Sequence, residues 1–101
     1  MGQVTTHPDA QRELDEAVAY YEEKRVGLGR EFRDEVVLFV SRIVKNPQRY
    51  SVRKHDVRRA NLNRFPYNVN YLAEGEDIII VAVAHDRQRP LYWLERLKRP
   101  R

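Results

Sequence analysis

The chain contains no cysteine among its 101 residues. That excludes a disulfide scaffold, a Cys-ligated zinc site and a thiol nucleophile, and it fits a reducing cytoplasm. Long apolar runs are also missing. The longest, Ile78 to Ala84, spans seven residues, against the ~20 that a membrane helix needs. The start, Met1-Gly2-Gln3-Val4, lacks the basic stretch and apolar core of a secretory signal. Glycine-rich phosphate loops, a Gly-x-Ser-x-Gly elbow and a His-Glu-x-x-His helix are all absent. Metal, nucleotide-cofactor and serine-hydrolase chemistry is therefore set aside, and no cofactor is expected. A soluble cytoplasmic protein without membrane contact is the expectation.

What is present is one domain's worth of chain with abundant charge. A single domain over 1–101 is expected, and 42% hydrophobic residues are enough for one modest core. The net charge of +4 is unevenly placed. Residues 1–50 carry 8 Lys/Arg and 9 Asp/Glu, and residues 51–101 carry 11 and 6. The second half thus holds the whole excess, which points to a polyanionic partner, either nucleic acid or an acidic protein segment.

The first half reads as a helical hairpin over about 7–46. Thr6 and Asp9 have the spacing of a capping box, and Pro8 suits a first turn. Ala10, Leu14, Ala17, Val18 and Tyr21 share one face, and Glu13, Asp15, Glu16, Glu22 and Glu23 mostly fall on the other. Gly27 and Gly29 break the pattern. Leu28, Phe32, Val36, Phe39, Val40 and Ile43 form a second stripe, ended by Asn46-Pro47.

The second half reads as a sheet over about 51–97. Val57 to Phe65 has a strand pattern ended by Pro66. Neither of its faces is cleanly apolar, so a bulge near Ala60 is expected. Tyr67, Val69 and Tyr71 alternate with Asn68 and Asn70, the period of a half-buried strand. Ile78 to Ala84 is β-branched and apolar on both faces, as a central strand is. Leu91 to Leu97 fits a short helix or an edge strand, and a short strand near Val4 fits the sheet. The fold class is α+β, an antiparallel helical hairpin on one face of a small, mostly antiparallel sheet.

Chemistry concentrates after the central strand, in His85-Asp86-Arg87-Gln88-Arg89-Pro90 followed by Tyr92 and Trp93. Arg58, Arg59 and Arg64 cannot be buried unpaired, so some must face a groove or an acid. Guanidinium forks match phosphate, and aromatic rings stack on RNA bases. Metal-free RNA cleavage needs a base, an acid and cations at the phosphate. His85 suits base or acid, Arg59 or Arg87 the charge stabiliser, and Tyr92 a second proton donor. Arg58, Arg64, Arg89 and Trp93 are candidates for binding nucleic acid or a protein partner. The plainer readings are a strand-end histidine bonded to Asp86 or backbone, core-packed Tyr92 and Trp93, and surface pairs Arg87–Asp86 and Arg96–Glu95.

In order and spacing these features resemble the RelE/ParE toxin superfamily of bacterial type II toxin–antitoxin systems. The matching stretches are His7-Pro8-Asp9-Ala10, Tyr20-Tyr21-Glu22, Gly27-Leu28-Gly29 with Phe32, Asn46-Pro47, Arg64-Phe65-Pro66-Tyr67 and Ile80 to His85 with Arg87, Arg89, Pro90, Tyr92 and Trp93. The resemblance implies a small growth-arresting toxin neutralised by a cognate antitoxin whose C-terminal segment, often acidic, wraps it. RelE-like members are ribosome-dependent, metal-independent mRNA endoribonucleases; ParE-like members inhibit DNA gyrase without being enzymes. An inactive, merely plasmid-stabilising homologue is the third possibility. RelE-like members carry basic residues on the middle strands and a Tyr or His near the C-terminus, positions that Arg59, Arg64, Arg87, His85 and Tyr92 would fill. Lysines, however, are nearly absent there, Lys54 being the only one between Lys45 and Lys98. The His85-to-Trp93 stretch looks closer to the ParE-like and unassigned branches.

Overall fold

His7 is where strand becomes helix. Its backbone N–H bonds Ile80 O at 2.9 Å, closing the short parallel strand β1 (Val4–Thr6) onto the sheet. Its Nδ1 accepts the N–H of Asp9 at 3.1 Å and so caps α1 (Pro8–Lys24). The expected Thr6 capping box is therefore replaced by a histidine cap one residue later, with Pro8 in the first turn as expected. The computed structural model describes residues 2–98.

The turn to α2 (Leu28–Lys45) depends on Gly27, whose φ of 88° suits a residue without Cβ. No side chain of Gly27 can cap α2, so Glu22 reaches across: its carboxylate accepts the N–H groups of Gly27 (2.9 Å) and Gly29 (3.1 Å). A Cβ on Gly29 would stand 2.5 Å from Val18 O, so this glycine sets how closely the two helices approach.

The sheet has strand order β1-β5-β4-β3-β2, with β1 parallel and every other pairing antiparallel. Strand β2 (Ser51–Lys54) turns into β3 (Val57–Asn61) through His55 and Asp56, both with positive φ, the backbone of a two-residue hairpin. The β3 strand ends four residues before the expected Phe65. Its ladder to β4 (Tyr67–Glu74) is regular through Ala60, so the expected bulge is not there. The irregularities lie at Val52/Lys54 and in β5 (Asp77–His85), where Asn70 pairs with Ala82 but Tyr71 pairs with Ile80.

The strand is apolar on both sides because both are covered, and the extra residue, Val81, sets which side chain goes to which face. Ile78, Ile80 and Val83 face the helices, in a cluster with Phe32, Phe39, Ile43 and Tyr71. Ile79, Val81 and Ala82 face away, in a second cluster with Val57 and Trp93. That second face is covered by the 3-10 helix Tyr92–Lys98, through Trp93, Leu94 and Leu97. Of the two alternatives for Leu91 to Leu97, the short helix is the one formed. Fully burying a large apolar side chain contributes about 1.5–3 kcal/mol, so Phe32, Ile43, Ile78 and Val57, all fully buried, dominate the two layers.

Candidate functional site

Strand β1 stops at Thr6 while β5 continues to His85, so among the described residues part of the β5 edge has no neighbouring strand. Two side chains take its place. Glu13 Oε1 accepts the Val83 N–H at 3.0 Å, and Arg96 Nη1 donates to Val81 O at 3.0 Å. The same two residues grip each other, Arg96 Nη2 to Glu13 Oε2 at 2.7 Å and Nη1 to Oε1 at 2.9 Å. Tyr92 adds its hydroxyl, donating to Glu13 Oε2 at 2.6 Å. The carboxylate thus ties α1, β5 and the 3-10 helix together. The expected surface pair Arg96–Glu95 is corrected accordingly: Arg96 is 9% exposed and pairs with Glu13 and, at 3.7 Å, Asp9. Glu13, expected on the open side of its helix, sits beneath a cleft instead.

That cleft, about 470 Å³, runs between α1 and the ends of β4 and β5. Tyr20, Tyr67, His85 and Tyr92 line it. The His85 ring stands edge-on to Tyr67 at 5.0 Å, and its Nδ1 accepts the Arg87 N–H at 3.0 Å. Burial first, then the Glu13 hydrogen bond, push the Tyr92 hydroxyl well above the ordinary phenol range. Burial, the largest single influence on Arg96, lowers its pKa, but Glu13, Tyr92 and Asp9 together outweigh it and the net shift is upward.

On the opposite sheet face a polar chain runs through buried asparagines. Asn70 Nδ2 donates to Asn68 Oδ1 at 2.7 Å, and Asn68 Nδ2 to Asp86 Oδ1 at 2.9 Å. Arg59 stands 3.7 Å from Asp86 and donates from Nε to Asn61 at 2.9 Å. Asp86 therefore partners Arg59 and not Arg87. The network holds the loop after β5, with Asp86 N–H on Pro66 O at 2.8 Å.

The structure brings His85 and Tyr92 together in the cleft, and His85, Arg59, Arg89, Tyr92 and Trp93 around a small niche beside it. Arg87 and Arg89 are exposed on the loop. Trp93 is only 3% exposed and presents no face for stacking. Arg58 lies elsewhere, opposite Tyr71, with Nη1 on the carbonyls of Tyr50 (2.6 Å) and Gln48 (3.2 Å). Arg64 is also apart, bound to Glu31 at 2.7 Å by the start of α2. Glu13, Arg96, Asn68 and Asn70 went unrecognised in the sequence. Their only signal was two asparagines on one strand face, and Glu13 and Arg96 meet across 83 residues. Among the described residues no cluster of three or more His, Asp or Glu is arranged to hold a metal. No helix among them is long and apolar enough to cross a membrane.

The family model described as "ParE toxin of type II toxin-antitoxin system, parDE" matches residues 4–90. A solved structure, the chromosomal ParDE TA system from P. aeruginosa, superposes with a TM-score of 0.69 at 19% identity, covering 84% of this chain and 96% of that one. No curated protein matches significantly.

Proposed function

The chain belongs to the ParE toxin family as the toxin component of a type II toxin–antitoxin system, and from that premise we propose that it arrests growth by binding DNA gyrase, not by cutting RNA. We further propose that an acidic segment of a cognate antitoxin neutralises it. The observation that carries the reading is how the candidate cleavage groups are engaged. Metal-free cleavage requires a proton donor and cations free to follow charge onto a phosphate. Here the Tyr92 hydroxyl is committed to Glu13, Arg96 is neutralised by the same carboxylate, and Arg59 is held by Asp86. The catalytic roles proposed for Tyr92 and Arg59 would need this arrangement to be remade, which leaves His85 and Arg87 without Tyr92 as a free proton donor. The exposed Arg87 and Arg89 suit an acidic partner.

One observation favours the ribonuclease alternative: His85 and Tyr92 do share a cleft with room for a base. Inducing the chain without its antitoxin decides between the two. Growth arrest with intact mRNA and relaxed plasmids is expected. Codon-positioned mRNA cuts lost in His85→Ala would overturn the proposal, as would unimpaired growth at good expression.

A further inference from the structure

The cleft between α1 and the strand ends has a chemistry that the charge count alone does not predict. It is lined by two carboxylates, Glu13 and Glu16, and two guanidiniums, Arg12 and Arg96. Each has a partner of opposite charge, Arg96 with Glu13 in a largely buried pair and Arg12 with Glu16 in an exposed one. Arg96 is bound to Glu13 at 2.7 Å, and Arg12 stands 3.4 Å from Glu16 and 3.8 Å from Asp9. The cleft is therefore internally neutral, although it lies in a basic protein. Its remaining walls are the rings of Tyr20, Tyr67, Tyr92 and His85, with Ala17, Val83 and the amide of Gln88. Tyr20 leaves 52% of its surface uncovered, an open ring at the rim.

A phosphodiester is a poor occupant of such a place. Arg96 would have to leave its buried carboxylate, and two carboxylates, Glu13 and Glu16, would face the incoming anion. A bulky uncharged side chain meets no such obstacle and gains stacking area on rings that are already ordered. At the edge of the cleft the charge changes. Arg87 lies between His85 and Gln88, both cleft residues, and is exposed. Arg89 is likewise exposed two residues on. A neutral ring-lined cleft with cations beside it matches a segment carrying one large apolar side chain among acidic neighbours.

We infer that this cleft is the anchor pocket for one aromatic or long aliphatic side chain on the acidic segment of the antitoxin, with acidic neighbours of that anchor on Arg87 and Arg89. The inference rests on the toxin–antitoxin reading but not on which target the toxin attacks.

Isothermal titration of the full chain with the product of the neighbouring antitoxin gene tests it. Arg87→Glu alters an exposed side chain and is expected to keep the wild-type melting temperature. Tyr20→Ala gives up an edge contact with Tyr21 and the Lys24 ammonium over its ring, so a small drop is expected, with the chain still folded at the temperature of the titration. Each should weaken antitoxin binding by about 10- to 30-fold, the range for loss of an interface anchor. Val37→Ala, on the outer face of α2, should leave binding unchanged. Wild-type affinity in both cleft variants would overturn the anchor pocket while leaving antitoxin binding in place. No binding even by the wild-type chain would overturn the antitoxin reading and the pocket with it. A single-stranded oligouridylate that binds the chain, competes with the antitoxin and loses affinity in Tyr20→Ala would reassign the cleft to RNA.

Discussion

Replacing Glu13 with alanine removes the acceptor for four hydrogen bonds at once, from both Arg96 nitrogens, the Tyr92 hydroxyl and the Val83 N–H. The carboxylate side chain is 15% exposed and the guanidinium 10%. The pair is therefore far from the solvent-screened surface class, whose members contribute about 0–1 kcal/mol. Breaking a buried pair from one side costs about 3–5 kcal/mol, because the remaining charge stays buried. Arg96 keeps Val81 O and a long contact with Asp9, which places the expected loss near the bottom of that range, about 3 kcal/mol. At about 4–8 °C per kcal/mol for a domain of this size, the melting temperature should fall by roughly 12–24 °C. Thermal and urea unfolding of Glu13→Ala, Arg96→Met and the double variant measure it. The double variant should be less destabilised than the sum of the singles, by about 1–3 kcal/mol. A loss under about 1 kcal/mol in Glu13→Ala, or strict additivity, would refute the idea that this pair closes the β5 edge.

Glu35 Oε2 accepts the N–H groups of Asn63 (2.6 Å) and Arg64 (3.0 Å), so Glu35→Ala should cost about 1–3 kcal/mol and speed amide exchange at those two positions; unchanged exchange would show that the loop holds itself. Gly29→Ala forces a Cβ against Val18 O and should destabilise by about 1–3 kcal/mol, read from the urea midpoint, with a neutral outcome meaning that the helices separate freely. The hydroxyls of Tyr21, Tyr67, Tyr71 and Tyr92 are all raised above the usual phenol range, burial being the first cause in each. Each holds its proton more tightly folded than unfolded, so its contribution is complete below about pH 10 and is lost as pH rises through the folded value. Denaturant midpoints should therefore fall above pH 10, and less steeply in Tyr92→Phe; a flat profile would contradict the shifts.

What the sequence made legible was periodic and local. The stripes Ala10, Ala17 and Phe32, Val36, Phe39, Ile43 are the buried faces of α1 and α2, and Asn46-Pro47 does end α2. The run from Ile78 to Ala84 is the central strand. The β2–β3 hairpin was not legible, because His55-Asp56 lacks the glycine that usually marks such a turn. Nor was the Val81 bulge, since an all-apolar run keeps its pattern whichever residue is doubled. The site failed for a different reason. Charges were paired with sequence neighbours, Arg96 with Glu95 and Arg87 with Asp86, whereas the fold pairs Arg96 with Glu13 and Arg59 with Asp86. Long-range pairing is set by the ends of strands, at the place where β1 stops short of β5, and no local pattern encodes that.

A Tyr92 hydroxyl committed to Glu13, with Arg96 and Arg59 held by Glu13 and Asp86, supports a toxin that binds its target. The most direct test is a supercoiling assay with purified gyrase and the purified chain, run beside a translating extract whose mRNA ends are mapped. The account predicts loss of supercoiling in proportion to the added chain, with mRNA left whole. Undisturbed gyrase together with mRNA cut on the ribosome, abolished by His85→Ala, would contradict it.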